Sequence, residues 1–116
     1  MSSFIPLSFE ELQRGHCRHV TEDEALASED IVAQLQAVPK WQFQAGALRR
    51  TFTFDNYYQT MAFVNALAWI AHREDHHPEL TVTYNRVTVA FDTHSAKGIS
   101  QNDFICAARA DAVYGS

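Results

Sequence analysis

The chain has 116 residues, 47% of them hydrophobic and 20% charged, with a formal net charge of −5. That length is enough for a hydrophobic core without staples, and the composition is that of a globular protein and argues against disorder. Its nine Lys and Arg form no basic stripe, which argues against direct nucleic-acid binding, and no apolar run approaches the roughly 20 residues a bilayer demands.

Residues 1–27 read as a partly irregular lead-in in which Ser8-Phe9-Glu10-Glu11 caps a short helical turn. The Phe4-Ile5-Pro6-Leu7 patch lacks the basic flank and long apolar run of a signal peptide, so a cytoplasmic protein is expected. His16-Cys17-Arg18-His19 carries metal-ligand residue types but is too little by itself for a metal site. Cys17 and Cys106 lie far apart with no CxxC spacing, which predicts a reduced thiol pair and no disulfide.

A single domain is expected over residues 28–114. Ser28 caps a first helix, along which Ile31, Val32, Leu35 and Val38 recur at helical spacing until Pro39 ends it. Trp41, Phe43 and Ala45 alternate with glutamines, and Leu48, Arg50, Phe52 and Phe54 alternate beyond Gly46, which predicts a hairpin. Asp55 caps a long second helix in which Met61, Val64, Ala68 and Ala71 form one apolar line that Phe63, Leu67 and Ile70 widen into a buried stripe. Leu80, Val82 and Tyr84, then Val87, Val89 and Phe91, form a second hairpin around Asn85-Arg86. Ser100-Gln101-Asn102-Asp103 resembles a capping box opening a last helix. The order α-β-β-α-β-β-α predicts an α+β fold, a four-stranded antiparallel sheet with helices packed on one face.

Four of the six histidines fall in two places, His72-Arg73-Glu74-Asp75-His76-His77-Pro78 and Thr93-His94. Histidine exchanges protons near neutral pH, so such a cluster is proton-transfer machinery or a metal site. Pro78 forces His77 toward an extended conformation and ends the second helix near His76. The hairpin from Leu80 to Phe91 then folds His94 back toward His76 and His77. His72 and His76 are four apart on a helix and could chelate a metal, but HExxH is absent and no cysteine lies nearby, so no metal is expected.

The pattern His72, three residues, His76-His77-Pro78, five residues, Tyr84, nine residues, His94, eight residues, Asp103 resembles the signature of the pterin-4a-carbinolamine dehydratases. Pro39-x-Trp41, Leu48-Arg49-Arg50-Thr51-Phe52 and Gly98-Ile99-Ser100 extend the similarity over roughly residues 26–113. The resemblance implies dehydration of 4a-hydroxytetrahydropterin to quinonoid dihydropterin without metal or organic cofactor, in support of an aromatic amino-acid hydroxylase. Carried over by position, it implies His76, His77 and His94 as catalytic residues, and Asp103, Trp41, Thr93 and His72 as groups that bind or orient the substrate. At His72 the family commonly has a carboxylate. A homodimer or homotetramer is implied as well. The alternative is a non-catalytic dimerisation or regulatory partner, akin to a transcriptional coactivator or a molybdopterin-pathway accessory protein.

Overall fold

A computed structural model describes residues 3–115. Four helices, α1 (Phe9–Arg14), α2 (Ser28–Leu35), α3 (Tyr57–Glu74) and α4 (Gln101–Tyr114), accompany four strands, β1 (Gln42–Gln44), β2 (Ala47–Thr53), β3 (Glu79–Val82) and β4 (Arg86–Phe91). The sheet is antiparallel throughout, in the order β1-β2-β4-β3. The α+β reading and the one-sided packing of helices are therefore borne out. The observed order adds α1, where Ser8 Oγ and Glu11 form the full capping box that the lead-in sequence suggested.

Strand alternation explains the two faces of the sheet. Register sets Leu48 against Phe91 and Phe52 against Val87, and these residues are buried beneath the helices. On the other face Thr51 and Thr88 pair across strands, their hydroxyl oxygens 2.9 Å apart. The β1–β2 turn is made by Ala45 and Gly46, both at positive φ (51° and 79°), as a two-residue primed hairpin turn requires.

Two helix starts differ by one residue from the sequence reading. Helix α2 includes Ser28 and is preceded by Ala27 with no side-chain cap. Helix α3 is capped by Asn56, whose Oδ1 accepts the Gln59 N–H at 2.8 Å, in place of Asp55. At its other end Asp75 adopts φ 50°, and the His76 N–H returns to the Ala71 carbonyl while the Asp75 N–H returns to that of His72. This Schellman closure stops the helix one turn before Pro78 and throws the chain sideways at His76.

Helix α4 runs through the middle of the molecule, with Phe104, Cys106, Ala107, Ala108 and Ala110 fully buried. Small alanines let it approach its neighbours closely. Its last turn is fastened by Asp111, which accepts from the Trp41 indole N–H at 2.8 Å and from Arg50 at 2.6 Å. The Arg50 guanidinium also lies 4.2 Å from the Phe52 ring centroid. The lead-in joins the same core. Leu12 is fully buried, and the Leu7 N–H and carbonyl both bond to the buried Gln34 amide.

Candidate active site

The segment that follows α3 and the end of β4 meet at one end of the sheet. Glu79 pairs with Ala90, so His77, two residues upstream, and Asp92, two downstream, leave the sheet together. His94 follows in a single 3-10 turn, His94–Ala96. A cavity of about 600 Å³ opens there, lined by His76, His77, Thr93 and His94, with Glu74 and Asn102 among the other walls. The convergence expected from hairpin register is thus present in the fold.

Asp103 is the fixed point of the site. Its side chain is fully buried. Oδ1 accepts from Nε2 of His76 at 2.6 Å, and Oδ2 accepts from the Thr93 hydroxyl at 2.7 Å and the Ser100 N–H at 2.9 Å. The Thr93 and Ser100 hydroxyl oxygens are 2.7 Å apart, and Ser100 Oγ accepts the Asn102 N–H. One consistent proton arrangement follows: Ser100 donates to Thr93, and Thr93 donates to Asp103. The capping box expected from Ser100-Gln101-Asn102-Asp103 is therefore also the anchor of a histidine.

His76 is held on two sides. Besides Asp103, its ring stacks on Phe91 at 6.0 Å with an interplanar angle of 11°. A carboxylate can only accept, so Nε2 carries the hydrogen and Nδ1 is the nitrogen left to exchange a proton with a ligand. His77 and His94 are both exposed at the cavity and carry no such tether.

Two expected site residues lie elsewhere. Trp41 is buried in the core, its ring against Phe52 and Phe91 and its N–H committed to Asp111, so it supports Phe91 beneath His76 and does not line the cavity. His72 is exposed on the outer face of α3, its ring 6.0 Å from that of Trp69. The inward stripe of α3 is Phe63, Leu67, Ala71 and Glu74, and His72 falls one residue off it.

Glu74 takes the inward place. It is buried, accepts the Cys17 N–H at 2.7 Å, and lies 3.1 Å from Nδ1 of His16 and 3.9 Å from Arg109. Burial pushes its carboxyl upward, but the Cys17 N–H, His16 and Arg109 outweigh that and hold it below the usual range. A carboxylate continuing an apolar helical stripe was the signal for it in the sequence. Cys17, Arg18, His19 and Val20 form a further wall that sequence reasoning did not assign. Cys17 and Cys106 are both free, with sulfurs 3.5 Å apart, and the contact together with burial raises the Cys106 thiol well above its ordinary value. Among the described residues, no group of three or more His, Cys, Asp or Glu is arranged to hold a metal ion.

A profile of the family described as pterin 4 alpha carbinolamine dehydratase matches residues 24–113. The chain belongs to this family. A relative from Xanthomonas euvesicatoria pv. vesicatoria, provisionally named a pterin-4-alpha-carbinolamine dehydratase, is 50% identical over 98% of this chain and 95% of its own. One from Nitrosospira multiformis with the same provisional name is 51% identical over 77% of this chain and 79% of its own. Among solved structures, the transcriptional coactivator/pterin dehydratase from Brucella melitensis is similar with a TM-score of 0.76. It is 32% identical, covering 78% of this chain and 99% of that one. A pterin dehydratase-like protein described as a RuBisCO assembly factor in the alpha-carboxysome has a TM-score of 0.56 and 30% identity, covering 66% and 88%. No helix among the described residues is long and apolar enough to cross a membrane.

Proposed function

We propose that this dehydratase-family protein is a working enzyme that converts 4a-hydroxytetrahydropterin to quinonoid dihydropterin and water. The observation that carries this reading is the meeting of three histidines at one cavity, His76 anchored by Asp103 and His77 and His94 exposed there with no structural tether. In the reaction the C4a–O bond breaks as the hydroxyl takes up a proton and leaves as water. The N5–H proton is lost as the C4a=N5 bond forms. No electrons are exchanged with a second reactant, so one acid and one base complete the chemistry without a redox cofactor.

His76 suits the acid role. Its ring is locked by Asp103 and Phe91, and the carboxylate neutralises the imidazolium that must hold the proton before transfer. His94 would take the N5 proton, and His77 would hold the pterin. Thr93 acts through Asp103 as a positioning residue. The substrate would be supplied by an aromatic amino-acid hydroxylase, and the active form would be a homodimer or homotetramer in the cytoplasm. A regulatory or dimerisation role would place no demand on His77 and His94, whose side chains are exposed at the cavity without a structural tether, and no observation in this chain favours it.

The test is stopped-flow decay of the carbinolamine with wild-type protein and with a His76→Ala, His77→Ala double variant. Wild type accelerates decay, and the double variant loses about 100-fold or more of that acceleration. Equal decay with and without wild-type protein sinks the proposal.

A further inference from the structure

Residues 17–20 lie upstream of the family-matched region at 24–113, yet they form one wall of the cavity. Three ties hold this strap in place, each to a near neighbour of a site residue. The Cys17 N–H donates to Glu74 at 2.7 Å, two residues before His76. Arg18 is clasped by Asn102, next to Asp103: its N–H donates to Oδ1 at 3.2 Å and its carbonyl accepts from Nδ2 at 2.6 Å. The Val20 carbonyl accepts from the Ser95 hydroxyl at 2.7 Å, one residue after His94. The strap thus crosses from the His76 side of the cavity to the His94 side.

Its two ends are buried or tied, whereas Arg18 and His19 are exposed at the cavity. The Arg18 guanidinium is taken by Glu24 at 2.5 Å and by the His19 carbonyl at 3.3 Å. The His19 imidazole makes no hydrogen bond to another of the described residues, so it is the strap's available polar group.

We infer that His19 is a specificity-determining residue that contacts the substituent at C6 of the pterin and favours substrates with a hydroxylated side chain there. The inference rests on the dehydratase reading. In the pterin ring N5 is bonded to C4a on one side and C6 on the other. With the C4a hydroxyl at His76 and N5 at His94, C6 continues along the His94 side, where the Ser95–Val20 bond ties the strap. An imidazole at that wall can both donate to and accept from side-chain hydroxyls.

The test compares two carbinolamine substrates that differ only at C6, one with a dihydroxypropyl group and one with a methyl group. Steady-state constants are measured for wild type, His19→Ala and His19→Gln. His19→Ala raises KM for the dihydroxypropyl substrate about tenfold, the size of one lost hydrogen bond, while its kcat and both constants for the methyl substrate stay within about twofold. His19→Gln, which restores a donor and an acceptor, recovers part of the loss. Equal losses on both substrates, or none on either, overturn the inference while leaving the dehydratase reading intact. A wild-type protein inactive on both substrates overturns the dehydratase reading and the inference with it. His19 is exposed, and unchanged thermal melts of both variants show that the effect is not one of folding.

Discussion

Asp103 carries more of the site than any other residue, because three donors converge on one buried carboxylate. Asp103→Asn keeps the shape but turns one acceptor into a donor, so at least one of the three bonds meets a like group. The expected outcome is a loss of about 100-fold in dehydration rate, read by stopped flow, with a fall of about 1–3 kcal/mol in unfolding free energy, read by urea titration. A rate within twofold of wild type would remove Asp103 from the positioning role. The sequence made Asp103 visible twice, as a capping residue and through the family pattern, but it could not show that one side chain performs both tasks. It misplaced Trp41 and His72 for different reasons. Trp41 was already legible as core from its alternation with Gln42, and only the motif drew it toward the pocket. His72 sits in the right segment but one residue off the buried stripe of α3, a rotation of about 100° that sequence proximity hides.

At the scale of elements, the hairpin turns and helix ends aim the site. The left-handed Asp75 turns His76 inward, and the β3–β4 register brings the His94 turn to the same edge. Periodicity made these elements legible, because alternation and the i, i+4 pattern survive in each segment taken alone. Strand order did not, since it depends on which hairpin edges meet. The β1–β2 turn offers a check far from the cavity. Ala45 holds φ 51°, a conformation that costs a residue with a Cβ about 1–2 kcal/mol and that Asn tolerates better. Ala45→Asn is expected to raise unfolding free energy by about 0.5–1 kcal/mol, seen as a higher melting temperature at unchanged activity. A lower melting temperature would contradict the primed-turn assignment.

Across the whole molecule, the lead-in proves to be part of the architecture. Leu12 enters the core, and Glu74 receives the chain at Cys17. The sequence showed only a weak His-Cys-Arg-His cluster there, because ties spanning 57 to 84 residues leave no local pattern. They do leave a pH signature. The folded protein holds the Glu74 carboxyl below its ordinary value of 4.5, so the unfolded chain binds this proton more readily. Its contribution to stability is complete above that ordinary value and is lost as pH falls through the lowered one. Glu74→Gln should therefore be less stable than wild type at pH 7. Its urea midpoint should also fall less steeply between about pH 5 and about pH 3. Parallel pH profiles for the two proteins would show that Glu74 does not clasp the lead-in.

The joining of helix cap and histidine anchor at Asp103 has an evolutionary consequence. A lineage that abandoned dehydration would still be selected to keep this carboxylate, because losing it loosens the start of the central helix. The presence of Asp103 in a relative is therefore weak testimony that the relative is an enzyme. The side chains of His77 and His94 are exposed and make no hydrogen bond to another described residue, so nothing in the fold obliges a descendant to retain them. Their fate, more than that of the buried pair, records whether a given lineage still performs chemistry.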